Sequence, residues 1–106
     1  MKKLDCISAL RALGEESRLR MLRLLMESHR SVSELAELLG MTTYNVSKHL
    51  RVLREAGLVD CEKHGQQRFY QVAKDFQSHL KASGNTLDLG CCLFRFDQLP
   101  GGSEKA

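Results

Sequence analysis

The sequence predicts a mainly helical fold carrying one small β-hairpin, and three observations predict it. Aromatic residues are 6% of the 106 and Trp is absent, against 42% apolar residues overall, a mixture that suits aliphatic helix packing rather than a sandwich or barrel. Leucines recur at three- and four-residue spacing through the first half of the chain, the period of a helix with one apolar face. One later stretch alternates on either side of a Gly, as paired strands do. A chain of this length has room for one core.

Ile7, Leu10 and Leu13 repeat at helical spacing and Gly14 follows where a helix ends, so the first helix is short. Glu15, Glu16 and Ser17 open a longer run with Leu19, Leu22, Leu25 and Met26 on one stripe, reaching about Ser28. Arg18, Arg20, Arg23 and Glu27 surround that stripe. Ser31 and Glu34 have the spacing of a capping box, which starts a third helix with Val32, Leu35, Leu38 and Leu39 inward and Gly40 as its stop. Met41 and Thr42 lead to a fourth helix beginning near Thr43. It turns Val46, Leu50 and Leu53 inward and Thr43, Tyr44, Ser47, Lys48, Arg51 and Arg54 outward.

Gly57 ends that helix, which spans residues 43–56. Leu58 to Lys63 alternates as a strand, His64, Gly65 and Gln66 turn the chain, and residues 67–72 return as the partner, so the ribbon covers 58–72. Phe76, Leu80 and Leu87 predict one further helix, interrupted or ended by Ser83, Gly84 and Asn85. From Gly90 the pattern weakens into a loose tail. The chain divides into a domain over residues 1–82 and a carboxyl-terminal tail over 83–106 that carries Cys91 and Cys92. No internal repeat or low-complexity tract is present.

Two helices joined by a tight Gly turn and followed at once by a two-stranded ribbon form the order of a winged helix-turn-helix. In that motif the second helix enters the major groove amino end first, so its early polar side chains meet base edges and its basic ones meet phosphates. Thr43, Tyr44, Ser47 and Lys48 occupy the early turns. Arg51 and Arg54 lie further along, and Lys63 and Arg68 sit on the ribbon, all placed for phosphate. Double-stranded DNA is the expected partner. A net charge of +3 permits this without arguing for it. His49, one residue before inward Leu50, is expected to pack or to hydrogen-bond a phosphate rather than to bind metal.

The run from Glu16 to Leu22, with Val32 to Ala36 and Val46 to Val59, resembles the ArsR/SmtB family of metalloregulators over roughly residues 5–80. The resemblance implies a homodimer joined by its first and last helices, bound to an inverted-repeat operator as a transcriptional repressor and released by an inducer. Members that sense arsenic often carry two cysteines around a Val at the start of the third helix. Here that run is Ser31, Val32 and Ser33, so the site is absent. The family's zinc site on the last helix is also absent, since Asp75 and His79 have no second His and Glu beyond them.

The cysteines then carry the inducer chemistry. The start Met-Lys-Lys-Leu-Asp-Cys has no apolar stretch of a signal peptide and no long apolar run exists, so the chain is expected in the cytosol with reduced thiols and without a membrane. Four cysteines there suggest metal binding, redox chemistry or buried thiols rather than a disulfide framework. Adjacent Cys91 and Cys92 form a strained disulfide with each other but hold one soft ion readily. As(III), which prefers three thiolates, needs one more partner. The family's dimer layout points to Cys6 as that third ligand. As(III) or methylated As(III) is the expected inducer; persulfide or oxidant sensing and ions such as Cd(II) or Sb(III) are the alternatives. The bland reading packs Cys91 and Cys92 beneath Leu89, Leu93 and Phe94, and Cys61 on the ribbon reads as an inert buried thiol. No obligatory cofactor is expected. An enzyme is disfavoured, since there is no Cys-x-x-Cys, no βαβ pattern and no nucleophile–base arrangement. A DNA-binding protein without an inducer is the remaining rival.

Overall fold

The computed structural model describes residues 5–77, 86–88 and 93–95. Among the described residues, helices and short strands run in the order α1 (Cys6–Leu13), α2 (Glu16–Glu27), β1 (Arg30–Ser31), α3 (Val32–Leu39), α4 (Thr43–Glu55), β2 (Val59–His64), β3 (Gln67–Val72), α5 (Lys74–Gln77), β4 (Thr86–Asp88) and β5 (Leu93–Arg95).

Each of the first four helices begins on a side chain that answers a free backbone N–H. Asp5 accepts from Ser8 at 3.0 Å, Glu15 from Arg18 at 3.0 Å and Thr42 from Asn45 at 3.1 Å. Ser31 and Glu34 form the expected capping box, with Glu34 N donating to Ser31 Oγ at 3.1 Å and Ser31 N to Glu34 Oε1 at 2.8 Å. The ends are equally legible. Gly40 turns α3 off at φ +67°. Gly57 ends α4 at φ +85°, with Leu58 N bonded to Leu53 O and Gly57 N to Arg54 O, both at 3.0 Å. These two bonds are a Schellman closure, which requires the left-handed residue that glycine supplies.

The core lies where the inner faces of α1 to α4 meet. Leu13, Met21, Leu22, Leu24, Leu35, Val46, Leu50 and Leu53 are buried there. Leu19, Met26, Val32 and Leu39 pack at its edge. Two expected inward positions differ. Leu38 is 48% exposed and Ile7 57% exposed, because α1 and α3 are each eight residues long and bury one narrow stripe. In α1 that stripe is Ala9, Ala12 and Leu13.

The ribbon forms as predicted, with a tighter turn. His64 ends β2 opposite Gln67, which leaves Gly65 and Gln66 as a two-residue connection with Gly65 at φ +64°, a backbone angle that favours glycine. A third strand was not foreseen. Arg30 and Ser31 pair antiparallel with Tyr70 and Phe69, giving the sheet order β1-β3-β2.

The carboxyl-terminal expectation is corrected in part. Phe76 is buried in α5 as expected, but Leu87 belongs to β4, where it is fully buried and paired with Phe94 of β5. A lone apolar residue after a Ser-Gly-Asn cluster needs no helix to reach the core, and a short hairpin delivers it. Residues 93–95 are thus a strand within the stretch expected to be loose. Leu80 and His79 lie outside the described residues. Among the described residues no helix is long and apolar enough to cross a membrane.

Candidate nucleic-acid interface

α3 and α4 meet across the turn of Gly40, Met41 and Thr42, and α4 presents its outer face to solvent because its inner face is spent on Val46, Leu50 and Leu53. Thr43, Tyr44, Ser47, Lys48, Arg51 and Arg54 are all exposed, as the sequence predicts. Asn45, exposed in the same first turn, was passed over, although its position between Tyr44 and Val46 makes it an equal candidate for a base edge. No acidic residue stands in the first turn of α4. The positive end of the helix dipole is therefore left open towards an anion.

Lys48 and Tyr44 support each other. The Lys48 ammonium lies 5.2 Å from the centroid of the Tyr44 ring, within cation–π range, so a ring that is 70% exposed is held against the helix beside the charge. Further along, Arg51 Nε is 3.3 Å from Glu55 Oε2 with both side chains exposed, a pair of little strength in water that holds the guanidinium near the helix axis.

Between α4 and β3 lies a cleft of about 500 Å³ lined by Ser47, Arg51, Arg54, Glu55 and Tyr70. Tyr70 was missed, because its placement depends on how the ribbon folds back on α4. Loss of hydration pushes the Tyr70 hydroxyl above its ordinary value and a hydrogen bond to Cys61 adds to this, with Arg54 and Arg68 pulling the other way. Cys61, directly opposite Tyr70 in the ribbon, is a free, half-buried thiol. The sequence reading expects a buried thiol there, and the thiol is half-buried.

Lys63 and Arg68 are directly opposite one another on β2 and β3, and both are exposed. Like charges at facing positions destabilise a ribbon. Their juxtaposition near the tip is unfavourable for the isolated chain and favourable once an external anion lies across both. His64 stacks edge-on against Phe69 at 5.5 Å and lies 3.1 Å from Glu62, which stiffens the same tip.

His49 is half-buried. It lies on the flank of α4 with Nδ1 3.2 Å from Arg18 Nη1. As for the cysteines, Cys6 at the start of α1 is half-buried and disulfide-bonded, whereas Cys91 and Cys92 lie outside the described residues. Among the described residues no three potential ligands gather into a metal site.

Residues 15–60 match the family described as bacterial regulatory protein, arsR family. The transcriptional repressor SmtB of Mycobacterium tuberculosis is 37% identical over 71 residues, which make up 67% of this chain and 53% of the repressor. The chain therefore spans about half the length of that relative. Among solved structures, HlyU from Vibrio cholerae superposes with a TM-score of 0.62 at 35% identity, over 65% of this chain and 75% of HlyU. The homodimeric winged helix-turn-helix DNA-binding domain of a possible ArsR-family transcriptional regulator from Mycobacterium bovis superposes with a TM-score of 0.64 at 30% identity, over 66% of this chain and 65% of that one. The functions named among these relatives are regulatory.

Proposed function

Because the chain belongs to the arsR family of bacterial regulatory proteins, we propose that it is a homodimeric transcriptional repressor whose two α4 helices read an inverted-repeat operator. The observation that carries this reading is the outer face of α4 with its open amino end, flanked by the like-charged Lys63 and Arg68. Thr43, Tyr44, Asn45, Ser47 and Lys48 meet base edges; Arg51, Arg54, Lys63 and Arg68 meet phosphates. Two-fold symmetry sets the reading helices about 34 Å apart, one turn of DNA.

Release comes from the thiols. In the first reading As(III) is taken by Cys91, Cys92 and Cys6, arsenous acid exchanging its three hydroxyls for the sulfurs of three thiols with release of three waters. Methylated As(III), with two exchangeable hydroxyls, is taken by two of these thiols with release of two waters. The adjacent pair needs one further sulfur, and Cys6 supplies it from α1. A second reading has its own supporting observation: Cys6 engages in a disulfide while Cys61 stays free. Two thiols give two electrons and two protons to an oxidant such as a polysulfide, and Cys6 joins one tail sulfur. Both readings join Cys6 to the tail cysteines, through three sulfurs in the first and two in the second, and both displace α1.

The test is operator binding by fluorescence anisotropy, on DNA from the gene's own upstream region, with the reduced protein and then with As(III), Cd(II), Zn(II) or a polysulfide. Release by As(III) that is lost in Cys91→Ser/Cys92→Ser supports the first reading; release by polysulfide alone supports the second. Normal release from the double variant sinks both. No binding to any such DNA sinks the repressor itself.

A further inference from the structure

Arg18 is placed against the interest of its own helix. It is the third residue of α2, at the positive end of that helix dipole, where a cation is unfavourable. Its backbone N–H is satisfied by Glu15 at 3.0 Å, and its guanidinium reaches away from α2 altogether. Nε donates to Ala12 O at 2.6 Å and Nη2 to Arg11 O at 3.4 Å, both at the carboxyl end of α1. Nη1 donates to His49 Nδ1 at 3.2 Å, on the reading helix. One rigid planar fork thus holds the negative end of α1 and the flank of α4 at once.

The chemistry of the pair fixes its direction. A guanidinium donates and never accepts, so His49 Nδ1 is the acceptor and the ring carries its proton on Nε2. Glu15 Oε1 lies 3.8 Å from the same Nδ1, beyond hydrogen-bond range, and does not compete. The His49 side chain is 22% exposed, so the bond is partly shielded from water.

A cleft of about 250 Å³ lies between α1 and α4, with Ser8, Ala12, Arg18, Val52 and Ala56 among its lining residues. Apolar contacts at Val46, Leu50 and Leu53 press α4 onto the core, yet such contacts tolerate small rotations because they have no direction. A hydrogen bond from a planar fork does have one. Cys6 and Ala12 lie on the same short helix, about 9 Å apart along its axis, so a displacement at the sulfur end moves the carbonyls that Arg18 holds.

We propose that Arg18 is a positioning residue that sets the rotation of the reading helix through His49 and passes movement of α1 at Cys6 on to α4. The proposal rests on the thiol-release reading above, and its experiment separates the two. The first arm measures the ratio of operator affinities with and without the effective inducer, alongside thermal melts, for the wild type, Arg18→Met, His49→Leu and His49→Asn. Allosteric ratios of this kind run from about 5- to 150-fold. Arg18→Met and His49→Leu should fold and bind DNA within several-fold of wild type while their ratios fall towards one. His49→Asn places an amide oxygen where Nδ1 stood and should keep most of the ratio.

The second arm needs no inducer and no DNA. In a chain with Cys61, Cys91 and Cys92 replaced by Ser, the Cys6 thiolate is methylthiolated by methyl methanethiosulfonate, which leaves as methanesulfinate. The amide resonances of His49 to Leu53 should shift on modification, and Arg18→Met should abolish that shift. Resonances that shift equally in Arg18→Met, a His49→Leu protein with an undiminished ratio, or a His49→Asn protein as deficient as His49→Leu would each overturn the relay. A wild type that binds its operator and ignores every inducer, with the second arm positive, overturns the release reading and leaves the relay standing.

Discussion

Reversing one charge at the ribbon tip should move stability and DNA affinity in opposite directions. Lys63 faces Arg68 across β2 and β3, both exposed. Lys63→Glu turns a repulsive facing pair into an attractive one, and cross-strand pairs of this kind are worth about 0.2–1 kcal/mol. Water screens the pair, but the substitution removes a repulsion as well as adding an attraction, so a gain of about 0.5–1 kcal/mol is expected. For a domain of this size that raises the melting temperature by about 2–8 °C. The gain should shrink as salt is added, since the Debye length falls to about 8 Å at physiological ionic strength.

Binding should change the other way. Each phosphate neutralised contributes about 0.9 to the slope of log affinity against log salt, and a symmetric dimer presents the position twice. Lys63→Glu should therefore lower the slope by about 1.8, measured by anisotropy titrations at several salt concentrations, with a weaker affinity at every salt. A melting temperature that falls would refute the account of the tip as a repulsive pair. An unchanged slope would refute the placement of the ribbon on the DNA backbone. The two measurements are independent, so either half of the argument can fail alone.

Four further outcomes follow from the geometry. Tyr70→Phe should weaken operator binding, because Tyr70 lines the cleft beside Arg51 and Arg54. It should also delete a phenol that ionises above the ordinary value near 10; an ultraviolet phenolate titration that loses its low-pH portion instead would contradict the burial argument. Ser31→Ala removes one half of the capping box at a position only 7% exposed and should cost about 1 kcal/mol in urea unfolding. Leu50→Ala, at a site with no exposure at all, should cost about 2–5 kcal/mol with the same dependence on urea concentration. Asp5 is held below its ordinary carboxylate value chiefly by the Ser8 backbone N–H. Its cap on α1 is therefore fully present above the unfolded value, near 4, and lost as pH falls through the lower folded value. The protection of the Ser8 amide against exchange, relative to its intrinsic rate at the same pH, should fall in that acid range, and Asp5→Asn should flatten the dependence.

What could be read from the chain was whatever a few neighbouring residues decide. The Ser31 and Glu34 cap, the Gly40 and Gly57 stops and the Gly65 turn each depend on local chemistry, and each stands where the spacing put it. The inward row of Val46, Leu50 and Leu53 and the exposed polar, basic face opposite it follow from helical period alone. Leu38 misled because a three-residue step can place a leucine at the margin of a stripe as well as inside it. β1 escaped notice because two residues show no period; the edge of β3 recruits Arg30 and Ser31. Leu87 was assigned to a helix for want of a pattern, and a hairpin buries it.

The Arg18–His49 bond shows where such reading must stop. The residues are 31 positions apart, and in their own helices each looks ordinary: an arginine beside an apolar stripe, a histidine beside an inward leucine. Only the fold brings the carboxyl end of α1 and the flank of α4 within reach of one guanidinium. Recognition can be inferred from a helix face because the face is a local property. Regulation is a relation between elements, so it resides in contacts that no single element contains. Arg18 touches both α1 and α4, so it is one route by which a change on α1 can reach α4.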